Sequence, residues 1–222
     1  TIKDIARECG VSIATVSNVL NGRKKAAPAT VELIFETAAR LGYQPNLIAK
    51  GLRENKTHQI GIIVEDLSQF TVPPIVEGIM RHLEETGYQT TLSNLRMYSR
   101  WSDTWFHDET MVHSVLDPVL FEMLSRRVDG IIYVAVHARR VSLIPDSIRI
   151  PVVMVYAFEQ NPSVPSLVPD DESAACEAVR YLIGHGHKKI GIIAGLPDNM
   201  HTMMRMRGVE KAFEEAGIGG PK

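Results

Sequence analysis

The chain has 222 residues, 45% hydrophobic and 23% charged, and a formal net charge of −2. That is the composition of a globular protein able to bury a core in one or two domains. Two cysteines, Cys9 and Cys176, exclude a disulfide framework and fit a reducing compartment, so a cytoplasmic location is expected. No apolar run approaches the roughly 18 residues of a membrane span, and no charged-then-apolar leader opens the chain, so no membrane partner is expected.

The charge is unevenly spread. Residues 1–58 hold nine Lys/Arg and five acids, while residues 59–222 hold 15 bases and 21 acids. A basic head on an acidic body is the asymmetry expected when one end meets phosphate. The first 22 residues read as two short helices at a sharp angle. Ile2, Ile5 and Ala6 share a face of the first. Gly10 ends it, Val11 packs under the turn, and Ser12 is placed to cap the second helix. Val16, Val19 and Leu20 face back at i, i+3, i+4 spacing. Ile13, Ala14, Ser17 and Asn18 are left on the outer face, where short side chains can approach base edges. A generic αα-hairpin is the competing reading.

A third helix is expected at about 28–41, with Leu33, Ile34, Ala38 and Leu41 inward and Tyr43 as a lid. NLIAKGLR (46–53) is helical in pattern but too short to be stable alone, and ENKTHQ (54–59) reads as a linker. From Ile60 the texture becomes alternating strand and helix. Strands are expected at 60–64, 88–94, 128–135, 150–157 and 189–195, and helices at 73–86, 114–126, 172–185 and 203–216. That order predicts a parallel α/β sheet with crossover helices. Residues 96–113 are the least regular stretch and hold Trp101, Trp105 and Phe106. They read either as a surface excursion over the sheet edge or as an aromatic flap near a ligand or partner. His185, His187, Lys188 and Lys189 suggest a metal or phosphate site, or a helix end and solvated turn. Asp170, Asp171 and Glu172 could bind a cation, or favour the start of the next helix through its dipole.

These parts in this order resemble the LacI/GalR family of bacterial transcription regulators. The segments that carry the likeness are TIKDIA (1–6), GVSIATVSNVLNG (10–22), LGYQPNLIAKGLR (41–53), IGIIVEDLS (60–68), GI (78–79), RRVDGIIYV (126–134), HGHKKIGIIAG (185–195), RMRG (205–208) and AFEEAGI (212–218). The resemblance implies a helix-turn-helix headpiece (1–45), a hinge helix and linker (46–59) and an effector-binding α/β body (60–222) with a periplasmic-binding-protein-like fold. It implies base reading by Ile13, Ala14 and Asn18, and phosphate contact or positioning by Thr1, Ser12, Thr15, Ser17, Asn21 and Thr30. Asn18 replaces a commoner arginine, which favours a different base, since Asn pairs with adenine and Arg with guanine. Leu52 matches a hinge leucine that wedges into the minor groove, with Ala49 and Lys50 on the same segment. Asp66, Phe70 and Arg205 match effector contacts.

Three departures stand out. Ala27 occupies the usual serine cap of the third helix, the 96–113 excursion is longer than usual, and the second lobe is expected to run on past Lys222. The implied protein is a repressor of a catabolic operon that binds a pseudo-palindromic duplex as a homodimer or higher oligomer. Its effector would be a sugar or sugar derivative, since sugars and sugar phosphates are the family's usual class, although purines also occur. An enzyme is disfavoured, because no GxGxxG follows Ile60–Val64 and neither a Walker loop nor a GxSxG elbow is present. No metal or cofactor is expected. A transport-type binding protein is disfavoured by the basic head.

Overall fold

The computed structural model describes residues 1–22, 26–44, 56–102, 105–195 and 197–219. The chain divides into two compact units, Thr1–Thr57 and His58–Lys222. The hinge residues Ala49, Lys50 and Leu52 lie outside the described residues.

The first unit holds three helices, α1 (Ile2–Glu8), α2 (Ile13–Leu20) and α3 (Pro28–Arg40). Gly10 takes φ +63° between α1 and α2, a conformation that costs any side chain with a Cβ. The turn is closed by the Val11 amide, which donates to the Ala6 carbonyl at 3.0 Å. Ile5, Ala6, Val16, Val19, Ile34 and Ala38 are the buried apolar core, and Tyr43 packs against it. Two expected inward residues of α3 are not inside: Leu33 is 45% exposed and Leu41 38%. The face that wins is Ile34, Thr37 and Ala38, at i, i+3, i+4. Leu33 stands about 100° round from Ile34, and Leu41 is the residue that ends the helix. As the sequence suggests, Ala27 gives α3 no side-chain cap.

The second unit is built on a five-stranded sheet of β1 (Gln59–Val64), β2 (Gln89–Asn94), β3 (Gly130–Val134), β5 (Val152–Val155) and β7 (Ser166–Leu167). The strand order is β2-β1-β3-β5-β7 and every pairing is parallel, with Ile62 beside Leu92 on one side and Ile132 on the other. Two short strands, β4 (Arg140–Val141) and β6 (Phe158–Glu159), pair separately. Helices α4 (Val72–Glu85) and α6 (Glu109–Ser125) supply Val72, Val76, Val112, Leu116, Leu120 and Met123 to the core around the sheet. A continuous apolar run such as IGIIV is what a central parallel strand requires.

The 96–113 segment is ordered at the surface and anchored in the core. It forms α5 (Met97–Trp101), a 3-10 turn (Trp105–His107) and the start of α6, and it buries Met97 and Trp105 completely. The large apolar area of an indole explains this, because burying it outweighs ordering the irregular backbone around it.

Helices α7 (Asp171–Gly184) and α8 (Met200–Glu215) pack on each other through Cys176, Val179, Val209, Ala212 and Phe213. Their backbones approach so closely at Gly208 that a Cβ there would lie 2.0 Å from the Glu172 carbonyl oxygen. The expected strand at 189–195 does not form. Ile190 and Ile192 pack against the α7–α8 core, but Ile193 is fully exposed. Apolar composition marks a segment that can be a strand, whereas pairing makes it one, and no described strand lies alongside.

Candidate nucleic-acid and effector sites

The start of α2 is built to present its outer face. Ser12, in extended conformation, accepts a hydrogen bond from the Thr15 amide at 3.0 Å, and the Ser12 and Thr15 hydroxyls share another at 2.9 Å. At the far end Asn21 Nδ2 donates to the Ser17 carbonyl at 2.6 Å. Among the expected positioning residues, Ser12, Thr15, Ser17 and Asn21 thus fix the helix itself. Thr1 holds the start of α1 through Asp4, with a hydroxyl contact of 2.6 Å. Thr30 is half-buried in the first turn of α3. Between the caps, Ile13 (47% exposed) and Ala14 stand outward, and Asn18 is half-buried one turn on. The front of α2 is therefore shallow, with one isoleucine projecting and one amide able both to donate and to accept.

In the second unit, charged groups gather at the carboxyl ends of the strands, the edge where open parallel sheets hold ligands. Glu65 follows β1 and is fully buried. It accepts from Tyr133 Oη (2.8 Å), the Val136 amide (2.7 Å) and both terminal nitrogens of Arg139 (2.6 and 3.2 Å). Burial pushes the Arg139 guanidinium down, but the Glu65 charge and hydrogen bonds outweigh it and hold Arg139 above the ordinary arginine value. Burial, then the Glu65 charge, pushes the Tyr133 phenol well up. Arg139 also lies 5.1 Å over the Trp105 ring, so the ion pair ties the 96–113 segment to the sheet. Tyr98 and His137 share a short hydrogen bond beside it.

Asp66 is buried, and its two oxygens accept from the amides of Ser68 and Tyr98, both at 2.9 Å. Burial raises its pKa, but the Ser68 and Tyr98 hydrogen bonds and the Arg96 charge outweigh that and lower it below the usual aspartate value. Asp66 thus shapes its own loop, while Phe70, 88% exposed, projects from that loop.

Arg205 is the third expected effector residue. Its Nε donates to Asp171 Oδ1 at 2.7 Å, and its side chain is 58% exposed. Asp171 is almost wholly buried at the first position of α7, where the helix dipole favours a negative charge. Its other oxygen shares a short hydrogen bond with Nδ1 of His201, one helical turn before Arg205 on α8. The His201 ring lies 4.6 Å from Tyr156, which follows β5 at φ +70°. His201 Nε2 is buried with no hydrogen-bond partner among the described residues. Asp170 caps α7 by accepting from the Ser173 amide at 3.1 Å, so two of the acidic trio are engaged, one as a cap and one in an ion pair. Among the described residues, no group of three or more His, Cys, Asp or Glu could hold a metal ion.

Sequence reasoning missed Glu65, Arg139 and His201, and it read Asp171 as a cation ligand or a helix-dipole partner without its ion pair to Arg205. Signals existed for two of them. An acid directly after a strand buried on both faces needs a buried partner, and His201 stands four residues before Arg205 on one helix face. A surface depression of about 460 Å³ lies elsewhere, against Ile150, Pro151 and Val152 at the start of β5, and contains none of these groups.

The family described as "Bacterial regulatory proteins, lacI family" matches residues 1–46, and "Periplasmic binding proteins and sugar binding domain of LacI family" matches residues 57–222. The chain belongs to the LacI family. Catabolite control protein A of Priestia megaterium is 35% identical to this LacI-family chain over 221 residues, covering 98% of it and 62% of the relative. The HTH-type transcriptional repressor PurR of Pasteurella multocida is 30% identical over 220 residues, with the same coverage. The chain therefore spans about 62% of the length of these relatives, whose names are those of regulators rather than enzymes. The lac repressor bound to ONPG in its repressed state superposes with a TM-score of 0.71 at 22% identity, covering 99% of this chain and 63% of the other, which shows a shared fold. Among the described residues, no helix is long and apolar enough to cross a membrane.

Proposed function

We propose that this LacI-family chain carries the DNA-reading and effector-binding parts of a transcription repressor. In this reading α2 enters the major groove, with Ile13, Ala14 and Asn18 toward base edges and Thr1, Ser12, Thr15, Ser17, Asn21 and Thr30 toward the phosphate backbone or bracing the helix. The observation that carries it is the capped α2, with Ile13 and Ala14 outward on a headpiece of basic charge. A homodimer or higher oligomer places two such helices on a pseudo-palindromic operator in the cytoplasm. Ala49, Lys50 and Leu52 form the hinge, where Leu52 wedges into the minor groove and bends the duplex. The effector is a sugar or sugar derivative held between two lobes at the carboxyl edge of the sheet, near Asp66, Phe70 and Arg205. It alters the angle between the lobes and so operator affinity, and by linkage the operator alters effector affinity by the same factor. The reading invokes no cofactor and no catalysis.

Selection of bound fragments from random duplexes, with and without candidate sugars, tests this. The expected result is one two-fold-symmetric sequence whose affinity falls steeply with salt. Equal binding to every duplex and to a polyanion competitor refutes it. Leu52→Ala should lower specific affinity and straighten the bound duplex, and unchanged bending refutes the wedge.

A further inference from the structure

The acids along the carboxyl edge of the sheet are each compensated, Glu65 and Asp171 by an arginine. Glu65 neutralises Arg139 through two hydrogen bonds. Asp66 is buried, and its charge is answered by the amides of Ser68 and Tyr98. Asp171 neutralises Arg205, and it takes only the Nε–H. The two terminal nitrogens of Arg205 form no hydrogen bond with described residues on a side chain that is 58% exposed. A planar fork of N–H donors is thus presented outward with its charge already answered from behind. Asp171 is fixed in that place by His201, whose remaining nitrogen is a buried polar atom without a partner among the described residues.

We propose that Asp171 is a specificity-determining residue of the effector site, and that it makes Arg205 a hydrogen-bond donor to neutral hydroxyl-rich ligands while rejecting anionic ones. The inference rests on the reading that Arg205 meets the effector. A phosphate or carboxylate entering the fork must be desolvated against both Arg205 and the Asp171 carboxylate behind it. Attraction and repulsion then largely cancel, and the desolvation cost remains. A sugar hydroxyl or ring oxygen carries no net charge, loses little to Asp171 and still gains the directed N–H bonds. His201 serves as the positioning residue that keeps the carboxylate turned toward Nε. Among the effector classes of the family, this favours sugars over sugar phosphates.

The test needs no knowledge of the effector. The arginine Nε resonances of the whole ¹⁵N-labelled chain are followed while inorganic phosphate is added, with Arg207, exposed on the same helix, as the internal reference. In the wild type, Arg205 should respond no more strongly than Arg207. In Asp171→Asn, phosphate affinity at Arg205 should rise about tenfold, as expected when one opposing charge is removed at close range. Tight phosphate binding at wild-type Arg205, or an unchanged response in Asp171→Asn, overturns the proposal. If Asp171→Asn does not fold, the wild-type titration still decides, because preferential phosphate binding at Arg205 over Arg207 overturns the proposal and its absence supports it. Failure of the effector reading itself would show separately, as operator affinity indifferent to every small molecule.

Discussion

Ile34→Ala should unfold the headpiece and leave the body standing. Ile34 is fully buried in a core that, among the described residues, has six buried apolar members. Truncating a buried isoleucine to alanine costs about 2–5 kcal/mol, through lost transfer energy and the cavity left behind. A unit spanning Thr1–Thr57 is of a size that rarely holds more than about 3–5 kcal/mol in total. The loss therefore takes up most or all of the headpiece's stability. The body has its own core around the sheet, whose described members all belong to the second unit. Amide hydrogen exchange on the whole chain, read peptide by peptide, is the appropriate assay. Peptides from α1, α2 and α3 should exchange at the rate of unfolded chain, while those from β1 and β3 should keep wild-type protection. Wild-type protection in α1–α3 would falsify the reasoning, and so would a comparable loss of protection in β1.

Three further outcomes are expected. Gly208→Ala should push α7 from α8, because the new methyl would meet the Glu172 carbonyl at 2.0 Å. The cost should be about 1–3 kcal/mol, read as a lower urea midpoint, and an unchanged midpoint refutes the close approach. Glu65→Ala leaves Arg139 buried without its partner and should destabilise the body by about 3–5 kcal/mol, whereas Glu65→Ala with Arg139→Met should recover much of that in the same urea titration. For Asp66 the folded carboxyl sits below its unfolded value. Its stabilising contribution is therefore present above about pH 4 and is lost as pH falls through the lower folded value. Urea midpoints from pH 6 to pH 3 should fall less steeply for Asp66→Asn than for wild type, and parallel curves exclude the effect.

What could be read from the sequence was local. Gly10, Ser12 and the Val16–Val19 spacing specify the turn, the cap and the buried face of α2 within a dozen residues, and each is found in place. The parallel sheet was legible because a strand covered on both faces must be apolar throughout. Errors arose where distant parts decide. Leu33 looked like core, but the direction from which α1 and α2 approach favours Thr37. The 189–195 run has strand composition without a neighbour to bond. The partners of Asp66 were equally out of reach of the sequence: its oxygens accept from Ser68 nearby and from Tyr98, 32 residues away. Glu65 stood next to it unremarked, because Tyr133, Val136 and Arg139 lie 68 to 74 residues off and no spacing announces them.

The burial of Trp105 has a practical consequence. The chain has only two tryptophans, Trp101 and Trp105, both in the segment after β2 and none in the headpiece. Excitation at the red edge of indole absorption therefore illuminates the sheet's carboxyl end alone. Trp105 lies beside Arg139, Tyr98 and His137, so any ligand that disturbs those neighbours changes quenching and emission colour at once. The chain carries its own optical gauge of occupancy at that edge.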